Sequence, residues 1–220
     1  MKELVENYNK LNPSLCAKWI DGTCTMMEHE NEGCTSVLQQ LEITNFVGWQ
    51  FPHDLPDKIG SFYNISQNSC SKEKCHEIVR LSCDSILCVE ETDKIIFYIC
   101  ELKSSYTKES ITHAKDQIVG SLIKLRSVLS ILQGFNTKNI EMRGIIFAYD
   151  MNSDRLSYFK NTSDPRAIFC LKLYNECEYY MPSKKCNDFW FPLSFPDIKL
   201  KYVKIPCLEK SYSLDFNILN

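Results

Sequence analysis

Long apolar runs, glycine-rich loops and a large excess of one charge are all missing from this 220-residue sequence. No segment reaches the ~20 apolar residues that span a bilayer, so we expect no membrane partner. The start, MKELVENYNK, lacks the apolar core of a signal peptide, and we therefore expect a cytoplasmic protein. With seven glycines and no glycine-rich phosphate loop, the chain gives no reason to expect a nucleotide cofactor. A net charge of −3 argues against a broad basic surface for nucleic acid, although a local basic patch would suffice.

What is present fits an ordinary globular protein. Apolar residues make up 44% of the chain and charged residues 24%. A chain of this length can bury a hydrophobic core within one domain, and no repeat, low-complexity segment or linker divides it. We therefore expect a single domain, 1–220.

Cysteine is abundant, with twelve residues. Because we expect a reducing compartment, free thiols are favoured over disulfides. The closest approach to a metal-binding pattern is formed by Cys70, Cys75, His76, Cys83 and Cys88. Structural zinc sites usually have more closely spaced ligands, so small buried apolar side chains are the favoured interpretation. A structural zinc site is the less favoured alternative.

The clearest structural pattern begins after Cys75. Residues 77–91 and 94–105 read as two strands, with a short turn between them, and residues 142–150 as a further strand. Between the strands, apolar residues recur at steps of three and four from Lys108 to Leu132, which predicts a long helix. The apolar positions of this helix are Ile111, Ala114, Ile118, Leu122, Leu125, Leu129 and Leu132. The order strand, strand, helix, strand predicts an α/β fold in which a mixed central sheet is flanked by helices.

The rest of the chain gives weaker predictions. We expect a short helix within residues 1–20, a helix near residues 35–41 and a loop around residues 47–60. Near the end, residues 154–161 and 167–174 read as short strands.

A hairpin turn at residues 92–93 brings two acidic residues together. This turn places Asp84 directly opposite Glu101, and Lys103 projects from the same face as Glu101. Directly opposed side chains lie only ~5 Å apart, and like charges at that distance are destabilising. The sequence therefore predicts two carboxylates and an ammonium group at one end of an apolar hairpin.

Two carboxylates this close repel each other unless one is protonated or a cation lies between them. A hard divalent cation, Mg²⁺ or Mn²⁺, would remove the repulsion, with Asp84, Glu101 and the carbonyl of Leu102 as its oxygen ligands. Lys103 would then orient or activate a water, as hydrolysis of a phosphodiester requires. The alternative is ordinary: Asp84 lies in water at a strand end, and Glu101 and Lys103 form an exposed pair that contributes under ~1 kcal/mol.

Asp84, the Glu101–Lys103 tripeptide, the following helix and the strand that contains RGIIF together resemble the PD-(D/E)XK nuclease superfamily. The resemblance covers about residues 75–150, and Cys83 stands where that family often has a proline. It implies a restriction-endonuclease-like αβββαβ core, with additions at both ends of the chain. It also implies that Asp84, Glu101 and Lys103 are catalytic.

Two further features of that family are matched only in part. Members of the exonuclease type carry Gln-x-x-x-Tyr on the helix, and here Gln117 is followed by Ser121 in the place of the tyrosine. We include Gln117 among the catalytic candidates; the alternative is a solvated helix flank. Many members also have an earlier glutamate, for which the candidates are Glu77, Glu28, Glu30 and Glu32.

Basic residues outside the hairpin are candidates for contact with nucleic acid. Lys124 lies on the same helix flank as Gln117, and Lys184 and Lys185 precede an aromatic segment. Lysines near aromatic rings can bind phosphates while bases stack on the rings. Aromatic residues beside prolines also form packed edges or protein-binding surfaces, and that alternative stays open.

Together these features predict a metal-dependent nuclease. The resemblance to the PD-(D/E)XK superfamily favours DNA over RNA as its substrate, and a restriction, defence or toxin-type role would fit. The alternative is an inactive protein with the same fold that binds another protein, as an immunity or assembly module. A homodimer stays open in either case.

Overall fold

The computed structural model describes residues 1–11, 13–27, 40–52, 81–132, 139–151, 153–181, 197–206 and 210–220. The helices in these segments are α1 (Lys2–Leu11), α2 (Lys108–Ser130), α3 (Ser153–Lys160) and α4 (Pro165–Glu176), with a 3₁₀ turn at Phe216–Leu219. The strands are β1 (Lys18–Met27), β2 (Gln40–Phe51), β3 (Ser85–Glu90), β4 (Ile95–Lys103), β5 (Ile140–Tyr149), β6 (Glu178–Met181), β7 (Ile198–Ile205) and β8 (Ser211–Asp215).

The strands of the described residues form one eight-stranded mixed sheet in the order β1-β2-β3-β4-β5-β7-β6. The successive pairs β1–β2, β2–β3 and β3–β4 are antiparallel, whereas β4, β5 and β7 run parallel and β6 is antiparallel to β7. Strand β8 runs parallel to the first half of β2. The predicted α/β fold with a mixed sheet and flanking helices is therefore confirmed.

Helix α2 forms where the apolar spacing predicts it. Thr107 caps its first turn by accepting a hydrogen bond from the Ser110 N–H, and the helix ends at Ser130 rather than Leu132. The side chains of Ile118, Leu122 and Leu125 are fully buried. They lie across β4 and β5, the two parallel strands that α2 connects.

Alternate residues of β4 divide between two hydrophobic cores, one on each face of the sheet. Phe97 and Ile99 join the core formed with α1, α2 and α4. Tyr98 and Cys100 join a second core formed with β1, β2, β7 and the C-terminal 3₁₀ turn. Because β4 is covered on both faces, the hairpin strands are apolar almost throughout, and a charged residue can occur only near their ends.

Several local predictions are wrong. Residues 154–161 and 167–174, read as strands, lie mostly in the helices α3 and α4. Helix α4 begins at Pro165, and the Asp164 side chain caps it by accepting from the Arg166 N–H. Its buried residues, Ala167, Cys170 and Leu173, are spaced by three, which is a helical period.

The predictions for residues 35–41 and 47–60 are wrong where the structure describes them. Residues 40–41 and 47–51 belong to the long strand β2, not to a helix or a loop. Residues 35–39 and 53–60 lie outside the described residues. Within the described residues, no helix has the length and apolar character needed to cross a membrane.

Replacing Leu122 by alanine should lower the free energy of unfolding by ~2–5 kcal/mol, because a fully buried side chain leaves a cavity under α2. Urea denaturation followed by circular dichroism measures the change. Leu11→Ala is the matched control, since Leu11 is 57% exposed on α1 and should change the value by less than ~0.5 kcal/mol. Equal effects of the two substitutions would contradict the packing described here.

Candidate active site

The hairpin of β3 and β4 has the predicted register. Ser85 pairs with Cys100, and the ladder continues to Glu90 opposite Ile95. The regular ladder ends at Ser85: the N–H of Asp84 donates to the carbonyl of Cys100, the partner of Ser85, at 3.1 Å, as in a β-bulge. Asp84 therefore lies beside the stretch from Cys100 to Leu102, and the predicted direct pairing of Asp84 with Glu101 is not part of the ladder.

Asp84 is fixed by the backbone of the opposite strand. Its Oδ2 accepts a hydrogen bond from the Leu102 N–H at 2.7 Å, and the residue is only 8% exposed. A bond from a backbone amide leaves the carboxylate little freedom to rotate, and so its orientation is set by the position of β4. The chain holds this acid in place before any ligand binds.

Glu101 and Lys103 form an ion pair on the face of the sheet that α2 covers. The Lys103 Nζ lies 2.5 Å from Glu101 Oε1, and the two side chains are 14% and 1% exposed. Burial of an ion costs several kcal/mol in lost hydration unless charge partners and hydrogen bonds compensate. This ion pair therefore differs from the exposed alternative stated above, in which it would contribute almost nothing.

The donor set at the hairpin end fits a small hard cation. The Lys103 ammonium group pairs with Glu101, and the Asp84 carboxylate bonds to the Leu102 N–H next to it, so two carboxylates and one ammonium group lie at this end of the hairpin. Among the described residues, no group of three or more His, Cys, Asp or Glu side chains comes together, so the acidic ligands there are a pair. Mg²⁺ is commonly held by one or two carboxylates, with waters and substrate phosphate completing its shell, and a pair is sufficient for it.

Three polar side chains of α2 hold the segment that leads into Asp84; we call them the α2 clamp. They are spaced by four and three residues and so lie on one face of the helix. The bonds are Gln117 Nε2 to Ser82 O at 2.9 Å, Cys83 N to Ser121 Oγ at 2.8 Å, and Lys124 Nζ to Leu81 O at 2.5 Å. Because residues 81–83 precede β3, these bonds take the place of a sheet ladder in positioning Asp84.

The α2 clamp gives Gln117 and Lys124 positions that the sequence does not reveal. Lys124 is 1% exposed and bonded to a backbone carbonyl, so contact with a phosphate would require it to leave that bond. Gln117 reaches the segment before Asp84 rather than open solvent. Lys184 and Lys185 lie outside the described residues, as do the candidate glutamates, residues 28, 30, 32 and 77.

The cysteines near the hairpin behave as buried thiols. Burial raises the pKa of the Cys83 thiol to about 12 and that of Cys88 well above its usual value. A zinc ligand must be a thiolate, which these surroundings disfavour. Residues 70, 75 and 76, the other members of the zinc pattern, lie outside the described residues.

Two features of the site region were missed by sequence reasoning. The first is a cleft beside Asp84, where Gln50 of β2 donates to Ser85 Oγ at 3.2 Å. No local pattern could indicate it, because it depends on the pairing of β1 and β2 across residues 28–39.

The second missed feature is a polar cluster after β5. Asp150 accepts bonds from the Tyr174 hydroxyl and the Lys204 ammonium, each at 2.5 Å. Lys204 lies two parallel strands from Lys103 on the same face, a separation of ~10 Å. Burial alone would raise the pKa of Asp150, but the bonds from Lys204 and Tyr174 outweigh it and lower that pKa. The sequence could have indicated this cluster, because Asp150 directly follows the buried strand β5 and therefore lies at the same sheet edge as Lys103.

Comparisons of this chain with protein-family models, with curated proteins and with solved structures gave no match. Any proposal for the function therefore rests on the geometry of the site.

Replacing Ser121 by alanine should lower the free energy of unfolding by ~1–3 kcal/mol, because the buried Cys83 N–H loses its acceptor. Ser130→Ala on the exposed end of the same helix is the matched control and should change the value by less than ~0.5 kcal/mol. Urea titration of both variants and the parent protein measures the difference. A Ser121→Ala variant as stable as Ser130→Ala would show that the clamp does not constrain residues 81–83.

Proposed function

We propose that this protein is a divalent-metal-dependent nuclease that hydrolyses phosphodiester bonds of nucleic acid. The observation that carries the proposal is the pair of buried carboxylates, Asp84 and Glu101, at the end of the β3–β4 hairpin, with Lys103 bonded to Glu101. Buried acids in that position are costly to the fold, and a bound cation would offset the cost. The reaction would serve restriction, defence or a toxin-type role equally well.

The order of elements around the site supports the same proposal. The antiparallel strands β2, β3 and β4 are followed by α2 and by β5, which runs parallel to β4. The βββαβ part of a restriction-endonuclease-type αβββαβ core has this order, with its acids on the second and third strands of the triplet; among the described elements, the one before β2 is strand β1 and not a helix. Here Asp84 directly precedes β3, and Glu101 lies near the end of β4.

Each residue of the site would have a separate task. Asp84 and Glu101 would hold Mg²⁺ or Mn²⁺, with the Leu102 carbonyl as a third oxygen ligand; the ion would polarise a phosphoryl oxygen and acidify a bound water. The Leu102 N–H keeps the Asp84 carboxylate oriented. Lys103, held by Glu101, would orient the attacking water or stabilise the negative charge that develops on the phosphate.

A second candidate function is protein binding without catalysis, as in an immunity or assembly module. Lys103 already neutralises Glu101, and Asp84 is already hydrogen-bonded, so the cluster can be stable without an ion. On the outer strands, Trp19 and Val47 are more than half exposed. Exposed apolar side chains of this size are typical of protein-binding surfaces.

Replacing Lys103 by alanine should lower the rate of Mg²⁺- or Mn²⁺-dependent cleavage by about 10²–10³-fold, because one group that stabilises transition-state charge is lost. Metal binding should be largely retained, whereas Glu101→Ala should lose both binding and cleavage. Fluorescent single- and double-stranded DNA and RNA report cleavage, and calorimetric titration with Mn²⁺ reports binding.

Lys94→Ala is the control for Lys103→Ala, since Lys94 also forms an ion pair but directly precedes β4, at the opposite end of that strand from Lys103. It should cleave as fast as the parent protein. Absence of metal-dependent cleavage of every substrate by the parent protein would remove the nuclease proposal and favour protein binding. If Lys103→Ala cleaves at the parental rate, the role given to Lys103 is wrong.

A further inference from the structure

A second basic side chain lies at the same end of the sheet as the candidate active site. Lys103 of β4 pairs in register with Ala148 of β5, and Ala148 pairs with Lys204 of β7. The three residues form one row across parallel strands, so their side chains leave the same face, and the Cα atoms of the two lysines are ~10 Å apart. The proposed function gives no role to Lys204, nor to Asp150, which follows β5 at the same edge of the sheet.

Lys204 is held in position but is not enclosed. Its Nζ lies 2.5 Å from Asp150 Oδ2 and 5.7 Å from the centre of the Tyr174 ring. The side chain of Lys204 is 49% exposed and that of Asp150 is 42% exposed. An ion pair with this exposure contributes only about 0–1 kcal/mol, because water screens both charges. Lys204 can therefore exchange Asp150 for another anion at little cost.

Asp150 does not depend on Lys204 for its hydrogen bonds. Its Oδ1 accepts from the Tyr174 hydroxyl at 2.5 Å and from the Met151 N–H at 2.9 Å, whereas Lys204 binds the other oxygen. When Lys204 turns toward a ligand, Asp150 keeps two bonds, and no carboxylate is left without a partner. Tyr174 in turn stacks on Tyr202 of β7, with the ring centres 6.0 Å apart. The cluster therefore keeps its shape while the lysine changes partner.

Nucleic acid supplies the kind of anion that this position can bind. Each strand carries one phosphate per ~3.4 Å of helix axis, so the phosphates that neighbour a scissile one fall within ~10 Å of it. Lysine contacts with such phosphates are independent of sequence and fix the register of the backbone on the protein. A strand that crosses the ends of β4, β5 and β7, with its scissile phosphate at Lys103, therefore brings another phosphate to Lys204.

We propose that the backbone of a nucleic acid crosses the carboxyl ends of β4, β5 and β7, and that Lys204 binds a phosphate near the scissile one in exchange for Asp150. The place given to the scissile phosphate rests on the proposed nuclease function, whereas the contact at Lys204 is tested by binding alone. Asp150 keeps Lys204 in position in the free protein and competes with the phosphate for it.

Two substitutions with opposite expected effects test this exchange. Lys204→Ala removes the phosphate contact, so the affinity for nucleic acid should fall at least about 3-fold, and the slope of log affinity against log salt should shrink by about 1. Asp150→Asn keeps an acceptor for the Tyr174 hydroxyl but removes the competing charge, so the affinity should rise about 2- to 5-fold. An ion pair that served only the fold would give no such opposition.

Lys199→Ala is the matched control. Lys199 lies on the same strand, is 44% exposed and pairs with Glu178 at 2.8 Å, but it is at the opposite end of β7 from Lys204. Its affinity should stay within about 2-fold of that of the parent protein. Fluorescence anisotropy with labelled single-stranded and duplex DNA and RNA measures binding at several salt concentrations, with Ca²⁺ replacing Mg²⁺. Circular dichroism and thermal melting check that the variants fold alike.

Equal affinities of Lys204→Ala and Lys199→Ala, binding by Asp150→Asn that is no tighter than that of the parent protein, or no binding of any nucleic acid would each overturn the inference. The nuclease proposal is judged separately, by metal-dependent cleavage with the parent protein. Cleavage together with equal affinities of the two lysine variants would leave the nuclease in place and remove the contact at Lys204. Binding that depends on Lys204, without cleavage, would keep the contact and remove the nuclease.

Discussion

The burial of two acids at the end of one β-hairpin is the constraint on which the rest of this structure depends. Asp84 and Glu101 lie near the end of a hairpin that is otherwise buried on both faces, and bulk water cannot screen them well. An ammonium group, from Lys103, and a backbone donor, from Leu102, are among the groups that compensate these charges. A bound cation is the further partner that we propose for them.

The α2 clamp shows how the protein keeps Asp84 next to Glu101 despite the electrostatic cost of burying two carboxylates. Residues 81–83 precede β3 and have no ladder of their own, yet Asp84 at their end must be placed accurately. Ser121 and Lys124 supply hydrogen-bond partners from a helix on which the residues that follow them, Leu122 and Leu125, are fully buried in the core. The hydrophobic packing of α2 on β4 and β5 therefore also fixes the position of the Asp84 carboxylate.

Sequence reasoning succeeded where one local rule decided the outcome. The turn at residues 92–93 and the two-residue period of a strand correctly predicted the β3–β4 register from Ser85 to Glu90, and the three-and-four spacing correctly predicted α2. It failed for α3 and α4, because Tyr158, Phe159 and Phe169 have strong strand propensity and outweighed the helix signals at Asp164 and Pro165. The cleft could not have been found, since Gln50 and Thr25 meet only through strand pairing between distant segments.

The hydrogen bond from the Cys83 N–H to Ser121 affects how the protein unfolds locally. Asp84 is tied to β4 through Leu102, and the residue before it is tied to α2, so the acid cannot leave its place while both elements remain docked. The hairpin end and the helix therefore form one cooperative unit in local unfolding. Amide protons at Cys83 and Leu102 belong to that unit and should exchange with solvent only as slowly as the central sheet itself does. The acidic pair would then be among the last parts of the protein to lose its structure, which is unusual for residues so near a surface cleft.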